Sequence, residues 1–259
     1  MTYLDGIVAF HRARAAGDTR DLDGLYAQVG VGAPRGFTQA LASHSTLAVI
    51  AEIKRRSPSK GDINIDLDAA LLAASYVQGG ASCLSVLTDE PHFAGSAGDL
   101  VTARASVGVP VLRKDFTVSE RDVVDARIMG ADAVLLIVAA LADDELARLH
   151  AASEALGMST LVEVHDEAEL KRALSIGATL VGVNQRDLHS FTVDTTRAVR
   201  VAGLIPPDVV AVAESGITGA DDARRCADAG YRAVLVGEHL VRAVNPEKAV
   251  SELRVPLPS

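Results

Sequence analysis

Tryptophan is absent from this chain, and phenylalanine and tyrosine make up the 3% of residues that are aromatic. A core must therefore be packed from aliphatic side chains, and a surface that stacks nucleic-acid bases has too few rings to be built. Positive charge is also scarce: 25 Lys and Arg stand against 34 Asp and Glu, a net charge of −9. The long-range field repels nucleic acid and anionic membranes, so neither is expected as a partner, and an anionic ligand needs a local cluster of cations. The two cysteines, Cys83 and Cys226, lie far apart without metal-ligand spacing, which excludes a disulfide framework. The longest apolar run, Ala131 to Ala142, carries Asp132 and is too short for a bilayer. The opening Met-Thr-Tyr-Leu-Asp has neither a basic nor an apolar leader region, so a reducing, cytoplasmic setting is expected. A Walker loop, a nucleophilic cysteine and a Ser-His-Asp order are missing too.

What remains is a chain of 259 residues, 49% hydrophobic, long enough for a single (β/α)8 barrel of about 250 residues. Residues 1–45 look helical and polar, with an apolar stripe at Leu4, Ile7, Val8, Phe10 and His11 and a glycine linker from Gly30 to Gly36. They read as an N-terminal extension packed on the barrel, without a functional assignment. From Leu47 a beat of apolar run, polar turn and amphipathic helix repeats, with run centres near Ile50, Leu84, Val111, Leu135, Leu161, Val181, Val210 and Leu235. Glycines such as Gly80, Gly130, Gly157, Gly177 and Gly230 precede the runs, where a helix ends in left-handed backbone. Asp66, Ser119, Asp143, Asp166 and Asp194 are the expected helix caps. Strands apolar on both faces argue a parallel sheet, and eight units argue that it closes; an open doubly wound sheet is the alternative. The fold class expected is thus an α/β (β/α)8 TIM barrel with a short N-terminal helical extension, as one domain over residues 1–259.

In such a barrel the active site lies at the C-terminal strand ends. The first run ends in Glu52 and Lys54, which period-2 geometry places on one face, a costly pairing to bury unless it is used. Further on come Lys114, Glu163, Asn184 and Arg186, Glu214 and Ser215, and Gly237-Glu238, while the fourth run ends without an ionisable group. Asp89, Glu90 and Glu238 also have plain readings as loop or capping residues. Gly216 and Gly237 suit a phosphate site after the last two strands, and Ser57 can add a hydroxyl. His165, just past Glu163, is expected to point away from it, and His92, His189 and His239 fall in loops, so a metal-centred site is not expected. The chemistry left is acid/base work by lysines and glutamates, with burial and neighbouring ammonium groups lowering the lysine pKa values and the carboxylates staying ionised.

The segments Ile50-Ala-Glu-Ile-Lys-Arg-Arg-Ser-Pro-Ser-Lys-Gly61, Ser85 to Ser96, Val109-Pro-Val-Leu-Arg-Lys-Asp-Phe116, Leu135-Leu-Ile-Val138, Leu161-Val-Glu-Val164, Val183-Asn-Gln-Arg-Asp-Leu188 and Val212-Ala-Glu-Ser-Gly-Ile217 resemble the indole-3-glycerol-phosphate synthase family. The resemblance runs from about residue 47 to the end. It implies conversion of 1-(2-carboxyphenylamino)-1-deoxyribulose 5-phosphate to indole-3-glycerol phosphate, carbon dioxide and water, with no cofactor or metal. By the same resemblance Lys114 is the general acid and Glu163 the general base, and Lys54 pairs with the substrate carboxylate and assists loss of hydroxide. Glu52 orients the lysines, Asn184 and Ser215 position by hydrogen bonds, and Glu214 holds substrate hydroxyls. Phosphate falls to Gly216, Gly237 and the Glu238 backbone, with Ser57 and Arg186 nearby. Phe93 and Phe116 wall the anthranilate ring, with Leu135 and Ile137 on the fourth strand. Glu238 departs from the serine that some members carry, so its side chain is expected to turn from the phosphate. The oligomeric state stays open, with a monomer compatible.

Two other enzymes and a non-enzyme set the contrast. A Schiff-base aldolase would use Lys54 or Lys114 but lacks a sixth-strand lysine. Phosphoribosylanthranilate isomerase needs a cysteine where Glu52 stands. A retired barrel acting as a scaffold would have lost Lys54, Lys114 or Glu163, and all three are present.

Overall fold

A computed structural model describes residues 3–30, 32–186 and 192–258. The eight apolar runs become strands β1 (Ala48–Ile53), β2 (Cys83–Leu87), β3 (Val111–Lys114), β4 (Ala133–Ile137), β5 (Ser159–Val164), β6 (Leu180–Asn184), β7 (Val210–Glu214) and β8 (Ala233–Val236). Each pairs in parallel with the next, and β8 pairs back with β1 in the register Ala48 to Ala233, so the sheet closes into a barrel. The open doubly wound alternative is excluded.

Strand alternation divides the apolar side chains into two cores. Ala48 and Ile50 of β1, Leu112, Leu135, Leu161, Leu180, Val212 and Leu235 point into the barrel, while Val49, Ala51 and Ile53 join the layer between strands and helices. The inner core is closed from below by Phe37 and Leu41 of the helix Phe37–Ala42, both almost fully buried. With few rings available, one phenylalanine plugs the floor and Tyr76 and Tyr231 fill the outer layer.

The N-terminal segment spans the barrel from one end to the other. Helix α1 (Tyr3–Ala16) buries Leu4, Ile7 and His11, a stripe of helical period, whereas Phe10 of the expected stripe is 45% exposed. His11 meets Asp89 at 2.7 Å, Arg12 meets Glu145 and the Ala140 carbonyl, and Arg14 meets Asp122 at 2.6 Å. Asp89 and Ala140 follow β2 and β4, so this is the C-terminal rim. The chain then descends, with Arg20 on Asp125 at 2.7 Å and Tyr26 on Glu120, until the Arg35 amide donates to Asp132 at the start of β4. Val31 in the glycine linker lies outside the described residues.

Helix termini follow the expected chemistry with shifts of position. Ser119 caps its helix in a reciprocal box with Asp122, and Asp166 accepts from the Glu169 amide. The first capping aspartate is Asp68, not Asp66, because its carboxylate accepts the Ala70 and Leu71 amides. Asp143 lies inside its helix behind Ala142, and Asp194 bonds the amide of Thr196, which holds the cap position. Gly80, Gly130, Gly157, Gly177 and Gly230 all have positive φ, as the helix-to-strand turns require.

Candidate active site

Alternation carries each strand's inward row one step above the apolar core. On β1 the row Ala48, Ile50 continues to Glu52 and then to Lys54. On β3 Leu112 continues to Lys114, on β5 Leu161 to Glu163, and on β7 Val212 to Glu214, so the polar side chains converge above one floor of aliphatic packing. All the residues expected at the site line a single cavity of about 1020 Å³ at the C-terminal end. It brings together Glu52, Lys54, Ser57, Phe93, Lys114, Phe116, Leu135, Glu163, Asn184, Arg186, Glu214, Ser215, Gly216, Gly237 and Glu238.

Lys114 stands at the centre. Its ammonium donates to Glu163 Oε2 at 2.8 Å and to Glu214 Oε2 at 2.9 Å, and both carboxylates are 2% exposed. Asn184 Nδ2 donates to the other Glu163 oxygen at 3.1 Å. Beside this cluster Lys54 pairs with Glu52. The expectation that Lys114 would be acidified is overturned: burial pulls its pKa down, but Glu163, Glu214 and Glu52 together push it up, so the ammonium is fully charged at neutral pH. Carboxylates outnumber cations around it, and that imbalance decides the sign. Nor do both carboxylates stay ionised alike. Burial raises Glu163 but the Lys114 charge prevails and holds it at about 2, whereas burial and the Glu163 charge push Glu214 up to about 7. Glu214 Oε1 is buried without a hydrogen-bond partner among the described residues.

Glycines make this crowding possible. A methyl group on Gly182 of β6 would collide with Glu214 Oε1, and one on Gly237 would collide with Glu52 Oε1. A glycine inside an otherwise branched strand is the sequence signal for such an approach, and Gly182, absent from the expected site residues, carries it. Ser215 and Gly216 both adopt left-handed backbone, at φ 67° and 73°, turning the chain sharply at the cavity wall. Such backbone in a serine costs of order 1 kcal/mol or more and marks a site where position outranks relaxation.

The walls split by chemistry. Phe93 and Phe116 face each other with ring centroids 6.2 Å apart, and Leu135 and Ile137 of β4 continue that apolar side. Tyr3, Leu4 and Ile7 of α1 line the cavity as well, so the extension enters the site, contrary to its reading as packing alone. It is held there by Asp89, which accepts from the His92 amide and meets the His11 and His92 rings at 2.7 and 3.0 Å. This trio is the one described group with ligand-like spacing, and its facing polar atoms are already paired with one another. On the polar side Ser57 is buried with a hydroxyl that has no partner among the described residues, and Lys60, Arg186 and Arg242 approach the rim. Glu238 pairs with Arg242 at 3.3 Å, one helical turn on, which neutralises it at the place where an anion would sit.

His165 corrects the sequence reading. It lies two residues beyond Glu163, and positions two apart share a face, so its Nε2 comes 3.6 Å from Glu163 Oε1. Asp187, Leu188 and His189 lie outside the described residues.

The comparisons with known proteins agree with this geometry. Residues 9–253 match the family model described as indole-3-glycerol phosphate synthase. An indole-3-glycerol phosphate synthase from Nocardioides sp. is 55% identical over 206 residues, 80% of this chain and 79% of the relative. One from Rhodococcus jostii is 46% identical and covers 98% of this chain and 95% of its own length. Among solved structures, a thiamine phosphate pyrophosphorylase from Pyrococcus furiosus superposes with a TM-score of 0.61 at 16% identity, covering 84% of this chain and 96% of that one, a likeness of fold alone. The chain belongs to the indole-3-glycerol phosphate synthase family, and with it to the decarboxylating lyases of tryptophan biosynthesis.

Proposed function

We propose that Lys114 is the general acid of this reaction and that its two carboxylate partners divide the remaining work. The substrate is 1-(2-carboxyphenylamino)-1-deoxyribulose 5-phosphate, its phosphate held by Ser57, Arg186, Gly216, Gly237 and the Glu238 backbone, and its anthranilate ring against Phe93, Phe116, Leu135 and Ile137. Lys54, steadied by Glu52, meets the substrate carboxylate. As the aromatic carbon attacks the ribulose carbonyl, negative charge grows on the oxygen and Lys114 supplies both a proton and a compensating charge. Carbon dioxide leaves, the ring regains aromaticity, and the hydroxyl departs as water with help from Lys54. Glu163 removes the proton whose loss completes the indole, while Glu214 and Asn184 hold the substrate's hydroxyls and Ser215 orients the neighbouring groups.

The observation that carries this reading is the shared ammonium: Lys114 lies 2.8 and 2.9 Å from Glu163 and Glu214. Its charge keeps Glu163 a weak base at rest, so giving the proton away raises the basicity of Glu163 at the moment a base is needed. A fully charged Lys114 also disfavours Schiff-base chemistry, which needs a neutral amine. We place the protein in the cytoplasm and read residues 1–259 as one domain, with 1–45 an extension wrapped on the barrel. Supplying the carboxyphenylamino-deoxyribulose phosphate and following indole fluorescence tests the reading; a folded protein that yields no indole would overturn it.

A further inference from the structure

The mechanism above leaves one partly buried titratable group beside the base unused. His165 is held from two sides by Glu169, whose Oε2 accepts the His165 backbone amide at 2.8 Å and meets ring Nδ1 at 3.0 Å. A carboxylate needs a donor, so Nδ1 carries the hydrogen and the neutral ring turns the lone pair of Nε2 inward. That lone pair is buried, has no hydrogen-bond partner among the described residues, and faces Glu163 Oε1 at 3.6 Å. Acceptor opposes acceptor, and one proton is missing from the pair. Removing a proton from substrate is the event that would place it there.

We infer that His165 is the relay through which Glu163 sheds the proton it takes from substrate, with Glu169 fixing the ring and opening toward solvent. The inference rests on Glu163 being the base. In the step, the O–H bond on Glu163 Oε1 breaks and an N–H bond forms at Nε2, giving an imidazolium between two carboxylates. The Nδ1 proton then passes to Glu169 Oε2 and on to water, returning Glu163 to its ionised state; the ring regains its starting tautomer by proton exchange. Groups facing the ring are Glu163 from β5, Glu169 from the helix Glu167–Ser175 and Arg197 from the helix Arg197–Ala202. Burial lowers the His165 pKa, the Glu169 hydrogen bond and the Glu163 charge outweigh it, Arg197 opposes them, and the net shift is upward. His165 acts through Glu163 and is a positioning residue. Its partner Glu169 is 18% exposed at the side chain, so the path ends near water.

The test compares His165→Ala, Glu169→Gln and Glu163→Gln. Wild-type kcat should fall on the acid side as His165 protonates, because an imidazolium has no lone pair to offer. His165→Ala should lose about tenfold or more in kcat with KM changed less than about threefold, and should lack that acid limb. Added imidazole should restore part of the rate. Glu169→Gln should move the limb to lower pH, because a carboxylate that favours the imidazolium is gone. A structural role would instead lower Tm or raise KM and leave imidazole without effect. If Glu163→Gln is inactive while His165→Ala keeps the wild-type pH profile, the relay is wrong and the base assignment stands. If Glu163→Gln is fully active, both are wrong.

Discussion

At the N-terminal end of the barrel Asp132 is wholly buried, and both its oxygens are used: Oδ1 accepts the Arg35 amide at 2.7 Å and Arg104 at 2.9 Å, and Oδ2 accepts the Val111 amide at 2.9 Å. At the C-terminal end Glu214 is buried to 2% exposure, yet Oε1 has no partner among the described residues and its pKa is pushed up to about 7. The two carboxylates are of similar burial and opposite satisfaction. A charge whose hydrogen bonds are complete ties the extension, the helix Ala97–Ser106 and two strands together. A charge whose hydrogen bonds are incomplete is an opening for a ligand, and the barrel bears the destabilisation at that end.

The largest test of this contrast is Lys114→Met, which deletes the proton and the charge at the unsatisfied end while retaining much of the apolar stem. It should lower kcat at least about a hundredfold and shift substrate affinity less than about tenfold, read by indole formation and by direct binding. Normal turnover would mean the proton comes from elsewhere. Asp132→Asn probes the satisfied end, where it leaves Arg104 underpaired and sets the new NH2 against an N–H donor of Arg35, Arg104 or Val111. It should cost about 3 kcal/mol in denaturant unfolding and leave kcat within about twofold. If it instead abolishes activity without loss of stability, the division between the ends is false.

Glu214→Gln reports the strain itself. Glu214 has a folded-state pKa raised from 4.5 to about 7, so its contribution to stability is present below 4.5 and lost as pH rises through about 7. Glutamine does not titrate, so the variant's unfolding free energy should gain on wild type between pH 5 and 8, by on the order of 2 kcal/mol, while its activity falls. Calorimetry showing a constant difference across that range would count against the assignment. The smallest effect is expected from salt and inorganic phosphate: substrate affinity should weaken modestly as ionic strength rises, with phosphate competing beyond its ionic contribution. Phosphate that fails to compete would move the anion site away from Gly216 and Gly237.

What the sequence made legible is what one strand decides by itself. Glu52 with Lys54, Lys114, Glu163 and Glu214 each lie at a fixed parity from an apolar run, so their convergence follows once the barrel closes. What it hid depends on segments far apart in the chain. Phe37 as the floor and Leu4 and Ile7 as wall are set by contacts across many residues, and periodicity gives only that they are buried by something. Lys114 departs from the sequence expectation because its pKa depends on how many carboxylates surround it, a count that exists only in the folded site. The His165 orientation, by contrast, was available from parity, two positions from Glu163 on one face.

The wrapped extension also bears on the order in which the protein can assemble during synthesis. Asp89, Asp122, Asp132 and Glu145, which hold residues 11–35 of the extension, belong to the first 145 residues, whereas Ser159 and Arg232, which meet Thr38 and the Ala42 and His44 carbonyls, and Ala233, where β8 meets β1, are made later. An emerging chain therefore carries a half-built barrel with an exposed strand edge on β1 for the time that about 90 residues are added, several seconds at about 5–20 residues per second. In that interval Phe37 and Leu41 can already lie over the apolar interior of the first four strands, with the segment before them tied to the helix Glu120–Ile128 by the Arg20–Asp125 ion pair and the Tyr26–Glu120 hydrogen bond. The N-terminal segment would thus act as a built-in chaperone for the open half, covering it until the last strand arrives. Pulse-labelled hydrogen exchange on a nascent chain stopped near residue 190 would show protected amides in α1 if it does, and unprotected ones if it does not.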